Sequence, residues 1–304
     1  MNAVKIATIA CWIVSALVLA GLVIWFLTGS LFGVLTDGMG NWSTGFGIEN
    51  LTGSFDVDGT YNVNTEGIDS VKINWVAGEV TVKPHDGDDI QIIESAQRSL
   101  RNNEKLRYTV SGNTLEIRFR ERGSGSVRVP AKRLELLVPN ELSQSLSVLS
   151  ADTVSGGVTV TNITASNLEI ETVSGNLDAS GTFNNVKTES ISGRITLSNA
   201  ALGSVLSTET VSGRAELSGN FERVTTTSVS GNVSITSNQV PSSLKADSVS
   251  GSVTINLPAD AIISVNHSSV SGRLSSDLPM TMEGKEAHFV ISTVSGRTTI
   301  QAIG

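Results

Sequence analysis

The chain is poor in the residues that usually carry chemistry. Among 304 residues there is one cysteine, Cys11, so an intramolecular disulfide framework and a cysteine-based zinc site are excluded. Three His and two Tyr leave little material for acid–base catalysis. Charged residues make up 16% of the chain, well below the roughly 25% usual in soluble domains. The 29 acids outnumber the 21 bases, and a net charge of −8 argues against a nucleic-acid partner. Proline (6) and aromatics (5%) are scarce, whereas glycine is plentiful, at 29.

The first long feature is apolar. Ile6 to Leu27 holds 22 residues without a charge. As a helix it is roughly 33 Å long at ~1.5 Å per residue, enough to cross a ~30 Å hydrocarbon core. Trp12 and Trp25 stand toward its two ends, as interfacial aromatics do. Lys5 precedes it, whereas residues 28–69 carry six acids and no base. This bias predicts a cytoplasmic tail (1–5), one transmembrane helix (6–27) and an extracytoplasmic remainder held at the cell membrane. A cleaved signal peptide is the alternative, but the apolar run exceeds the usual 7–15 residues and no small-x-small site follows. Residues 28–69, rich in Gly, Ser, Thr and Asn, read as a flexible acidic spacer.

Residues 149–304 repeat. The mark is Val/Ile-Ser-Gly, in the pairs Ser155-Gly156, Ser174-Gly175, Ser192-Gly193, Ser212-Gly213, Ser230-Gly231, Ser250-Gly251, Ser271-Gly272 and Ser295-Gly296. The glycines step by 19, 18, 20, 18, 20, 21 and 24 residues. Self-similarity at this period signals stacked coils. Numbered from each glycine, −7 is always apolar (Leu149 to Phe289), −3 always Ser or Thr (Thr153 to Thr293) and −2 always Val or Ile. Positions +2 and +4 are mostly apolar with polar residues between, which is the alternation of a half-buried strand.

Taking −7 and −5 as one inward set and −2, 0, +2 and +4 as another puts the two sets out of phase. A corner or bulge is therefore expected near −4 and −3. The fold class read from this pattern is all-β, a single-stranded β-solenoid of about eight or more coils behind one transmembrane helix. With strands ~4.8 Å apart, eight coils span roughly 38 Å. A β-sandwich is the alternative, but it does not predict eight aligned Ser-Gly pairs. The Ser and Thr columns read as hydroxyl ladders satisfying backbone groups at the corners. An ice-binding face is disfavoured, because the outward residues include Arg194, Glu216 and Arg273.

Strand signals begin at Ser70, and residues 70–148 are expected to continue or cap the coils. Ala77-Gly78 and Ser111-Gly112 look like degenerate early repeats. The chain here carries Val-Ala-Gly (76–78), an Asp-rich turn (Asp86 to Asp89), Leu-Leu-Val-Pro (136–139) and then the Val-Ser-Gly ladder from Val154. Over residues 70–304 this order resembles the bacterial family of β-strand-repeat proteins called Toastrack, or "putative adhesin". The resemblance implies an extracytoplasmic domain, often on a membrane helix, linked with surface adhesion or envelope-stress sensing. It implies no catalytic residues.

Candidate chemistry is sparse. His85-Asp86-Gly87-Asp88-Asp89 could offer carboxylates to a cation, but the later bidentate Glu is missing and the segment reads as a hairpin turn. His267 and His288 lie in strand-like runs and read as structural. No metal, cofactor or catalytic residue is expected. Polysaccharide-active solenoid enzymes need aromatics for stacking sugars, and residues 149–304 have no Trp or Tyr. One asymmetry stands out: ten bases and three acids lie between Arg98 and Arg133. There Arg118, Arg120 and Arg122 alternate along a strand and are expected to share one face, as an anion or partner contact. The expected function is non-enzymatic: surface interaction, adhesion or scaffolding, with an envelope polymer or a membrane protein as partner. A sensing subunit of an envelope-stress response is the alternative.

Overall fold

Period-2 alternation of β-branched residues with Ser, Thr and Asn yields strands nearly throughout. The computed structural model describes residues 47–49, 54–120, 128–281 and 288–303. One short helix, Asn140–Ser143, interrupts them. Among the described residues no helix is long and apolar enough to cross a membrane, and the 6–27 run lies outside them. They fall into two compact units, one through Gly181 and the other from Thr182.

In the first unit, Ser70–Ala77 and Val80–His85 form a coil around Gly78. The next coil lies parallel and in register on it, with Leu149 opposite Val71, Thr153 opposite Trp75 and Val158 opposite Val80. Leu168 and Thr172 stack in turn on Leu149 and Thr153. On the other side of the Gly78 coil, Thr114–Arg118 pairs with Ser70–Asn74, and Lys132–Pro139 pairs with Val80–His85, again parallel. Antiparallel strands then close this end. Ile90–Ala96 runs between Asp56–Val63 and Lys132–Pro139, and Arg107–Ser111 runs beside Thr114–Arg118.

Three sequence expectations change here. Residues 56–63, read as spacer, are an edge strand of this closing layer. Ser111-Gly112 is not a repeat: Ser111 pairs with Thr114 across a two-residue hairpin turn, with Gly112 at φ +60°. The Asp86–Asp89 turn does not close a hairpin, because the strands it joins lie on opposite edges of Lys132–Pro139.

In the second unit the same register holds. Arg194 faces Arg214, Leu206 faces Val224, and Val224 faces Leu244. The order then departs from the chain order. His288–Thr293 lies between Ser243–Ser248 and Ile263–Ser269, and Arg297–Ile303 between Val253–Pro258 and Arg273–Ser276. The last copy of the repeat is thus inserted between the two copies that precede it. The step from Gly272 to Gly296 is the longest of the series, at 24 residues, which supplies chain for the return.

The core runs along the inside of the coils. Leu149, Ala151 and Thr153, then Gly156, Val158 and Val160, are all buried, so the inward set is −7, −5 and −3 followed by 0, +2 and +4. The expected face of the −2 column is corrected accordingly. Val154, Val173, Val211 and Val229 are half-buried on the outside, and the change of phase falls at the outward Val-Ser pair rather than at −4 and −3. Two consecutive outward residues make the corner, and the next inward place must then sit close to the neighbouring coil.

Candidate functional site

Each corner is held by hydroxyls and a missing side chain. In the −3 column, Thr153 Oγ1 donates to the Gly156 carbonyl at 3.0 Å, and Ser228 and Ser248 bond the Gly231 and Gly251 carbonyls in the same way. Thr172 and Thr210 instead accept from the Gly175 and Gly213 amides at 2.9 and 3.0 Å. In the −1 column the hydroxyl crosses to the next coil. Ser230 Oγ donates to the Val211 carbonyl at 3.2 Å, beside the Ser230 amide at 2.8 Å. Ser155, Ser174, Ser212, Ser250, Ser271 and Ser295 repeat that bond. These hydroxyls serve the backbone, so the columns are ladders that fix each coil on its neighbour.

The glycines stand where backbones nearly touch. A methyl group on Gly156 would overlap the Gly78 carbonyl oxygen, and the same holds for Gly175 on Gly156, Gly213 on Gly193 and Gly231 on Gly213. In the second unit the column continues through Gly251 and Gly296 to Gly272. In the first unit the column runs from Gly175 through Gly156 and Gly78 to Lys132, where the rule breaks.

Lys132 occupies the glycine place of that coil and is 0% exposed. Its ammonium donates to Glu94 Oε1 (2.6 Å), to the Glu104 carbonyl (2.7 Å) and to the Phe119 carbonyl. It lies 4.0 Å from the Phe119 ring centre and 5.1 Å from that of Trp75. The two rings meet edge to face at 4.9 Å, and Trp75 Nε1 donates to the Lys132 carbonyl. Glu94, also 0% exposed, accepts a second bond from the Leu106 amide. Burial pushes the Lys132 ammonium down to about 8, against the pull of Glu94, and burial raises the Glu94 carboxyl. All three N–H groups of the Lys132 ammonium are hydrogen-bonded within this layer. Lys132 clamps the closing layer onto the coils.

A second carboxylate belongs to this layer. Glu104, buried, accepts two bonds from the Arg98 guanidinium (2.8 and 2.9 Å) and one from the Arg101 amide. Hydrogen bonding from Arg98 holds it down to about 2. Nothing in the sequence pattern separated Lys132, Glu94 and Glu104 from the exposed charges around them. The one signal is that Lys132 precedes a Leu134-Leu136-Val138 alternation as each glycine precedes +2 and +4.

The structure does not bring Arg118 and Arg120 to one exposed face. Arg118, at the end of its strand, is paired through two bonds with Glu116, at 2.8 and 2.5 Å. Arg120 lies beyond the strand end and is 4% exposed, and burial lowers its guanidinium's pKa. The alternation fails because the strand stops at Arg118 and both Phe119 and Arg120 turn inward. Arg122 lies outside the described residues.

In the Asp-rich turn, His85 bonds the Asp89 carbonyl through Nε2 and the Gly87 amide through Nδ1, and Asn140 donates to Asp86. These bonds belong to a turn. His267 sits at an inward −5 place in the terminal coil, where burial lowers its pKa, and His288 opens the inserted strand.

Residues 68–301 match the family model described as Toastrack DUF4097. No curated protein matches the chain. Among solved structures, a "putative adhesin" from Bacteroides fragilis NCTC 9343 is 15% identical with a TM-score of 0.51, and the match covers 80% of this chain and 96% of that one. A further "putative adhesin" from Parabacteroides merdae ATCC 43184 is 12% identical, TM-score 0.42, over 81% and 96% of the two chains. A "putative lipid binding protein" from Parabacteroides distasonis ATCC 8503 is 15% identical, TM-score 0.45, over 81% and 96%. With the family model spanning the stacked coils and their closing layer alike, the chain belongs to the Toastrack DUF4097 family.

Proposed function

We propose that this protein is a membrane-anchored, extracytoplasmic β-solenoid that works without catalysis, as a surface interaction or adhesion module. The observation that carries the reading is the division of labour within each coil. The inward and corner positions are spent on the backbone: Thr153, Thr172 and Thr210 on their glycines, and the −1 serines on the next coil. The outward places vary from coil to coil, as at Arg214, Asn232, Ser252 and Arg297. A rigid frame with a variable exterior suits recognition. The buried charges support the same reading, since Lys132 is saturated by Glu94 and two carbonyls. The uncharged run of residues 6–27 would hold the frame at the membrane, with residues 28–46 as its tether to the strand Gly47–Glu49.

The test is retention of the detergent-solubilised full chain on isolated cell envelopes, combined with affinity purification from membranes. Saturable retention with no stoichiometric membrane-protein partner is expected. A stoichiometric membrane partner without envelope retention would replace this reading with the sensing one. Turnover of any member of a polysaccharide panel would overturn its non-enzymatic part.

A further inference from the structure

On the outer side of the second unit, the +1 residues form a single file across the sheet. Arg194 faces Arg214, and Arg214 faces Asn232. Ser252 follows, its amide bonded to Asn232 Oδ1 at 3.1 Å. Arg297 comes next through the inserted coil, and Arg273 faces it in register. All six side chains are exposed. The insertion of the last coil is what makes Arg297 and Arg273 neighbours of this file in that order.

The file is unusual in two ways. First, it places like charges directly opposite each other, Arg194 with Arg214 and Arg273 with Arg297. Such cross-strand pairs are destabilising unless something negative lies between them. Arg214 reaches Glu216 at 3.5 Å. Among the described residues, Arg273 and Arg297 reach no carboxylate within ion-pair distance. Among the described residues, the nearest acid along the chain from Arg273 is Asp277, which is exposed. Second, the file offers donors. Asn232 and Ser252 are both exposed; Asn232 spends its oxygen on the Ser252 amide, so its NH₂ group is a donor outside that bond, and Ser252 adds a hydroxyl. With strands ~4.8 Å apart, the two arginine pairs lie about 14 Å from each other across the Asn232-Ser252 step.

We infer that this file is a docking strip for a linear polyanion, whose negative groups bridge Arg273 with Arg297 and reach Arg214 beyond the Asn232-Ser252 step. The strip rests on the surface-interaction reading above and gives that reading a partner chemistry: a chain of regularly spaced phosphodiester or carboxylate groups. A guanidinium pair at strand spacing fits an anion bridged by two forks better than a single point charge. The site lies on a chain of net charge −8, so a polyanion is attracted to this strip rather than to the protein as a whole.

The experiment measures binding of the detergent-solubilised full chain to two probes, linear polyphosphate and polygalacturonate, at several salt concentrations. Wild type is expected to bind at least one of them, with affinity that falls as salt rises. Binding to polyphosphate alone points to a phosphate-bearing polyanion, binding to polygalacturonate alone to a carboxylate-bearing one. The double variant Arg273→Gln/Arg297→Gln should lose about tenfold in affinity at low salt. Its melting temperature without probe should be unchanged or higher, because the opposed charges are gone. Arg118→Gln, outside the strip, should bind as wild type does. No binding of either probe, or undiminished binding by the double variant, overturns the strip. If the double variant is still retained on isolated envelopes as wild type is, the strip falls and the surface-interaction reading stands; if wild type is not retained there at all, the surface reading itself falls.

Discussion

Gly251 and Gly296 pack backbone against backbone, so closely that a methyl on Gly296 would overlap the Gly251 carbonyl oxygen. Gly272, which lies between them in sequence, stacks on the far side of Gly296. The chain thus passes through its terminal coil before its last strands return to the place between that coil and the one before it.

This order predicts which cysteines can be joined. Thr254 and Thr299 are register partners on neighbouring strands, so Thr254→Cys with Thr299→Cys, in a Cys11→Ser background, should form a disulfide under mild oxidation. Thr254→Cys with Ser275→Cys should not, because the two lie two strand spacings apart, roughly 9.6 Å. Non-reducing electrophoresis reads both. Sequential stacking would give the opposite pattern.

The glycine column makes a second prediction. Gly213→Ala puts a methyl into the Gly193 carbonyl and against Thr210 Oγ1, and backbone cannot give way cheaply. The expected loss is about 1–3 kcal/mol, read as a lower midpoint in urea. Gly157→Ala, whose nearest obstacle is the Asn176 carbonyl at 3.4 Å, should be nearly neutral. Equal effects would mean that close approach is not what selects glycine at the corner.

Much of this architecture was legible in the residues, and the failures have physical causes. The Ser-Gly pairs announced the coils because stacking places each type on its own copy. Alternation from the glycine points Val154 and Val173 inward, yet they are half-buried on the outside, because β-branched residues suit outer strand surfaces as well as cores. Arg120 was placed on a surface because alternation assumes that the strand continues past Arg118. Lys132 shows only its place before the Leu134-Leu136-Val138 alternation, because the closing coil puts a clamped ammonium where its neighbours put glycine. The inserted coil left one trace, the long 24-residue step, which does not reveal on which side the chain returns.

The clamp predicts non-additive losses. Lys132→Met leaves Glu94 buried without its cation and should cost about 3–5 kcal/mol. Lys132→Met/Glu94→Leu removes both charges and should be less destabilised than the single variant. Denaturant titration of the single and double variants measures the difference. A double variant as unstable as the sum of its parts would contradict a coupled pair.

Acid should loosen the same layer. The Arg98 fork holds the Glu104 carboxyl at about 2, against an ordinary value of 4.5, so the folded state favours its charged form. The stability this contributes is complete above about 4.5 and is lost as pH falls from there through about 2. Glu104→Gln should flatten the stability–pH curve of the first unit across that window while lowering stability at neutral pH. An unchanged slope would remove Glu104 from the acid response.

The central claim is a non-catalytic recognition frame held outside the cytoplasm by residues 6–27. Sealed membrane vesicles of both orientations, carrying the full chain and treated with added protease, test it most directly. The account predicts digestion of residues 54–303 in right-side-out vesicles and protection in inside-out ones. Protection in the first and digestion in the second would contradict it.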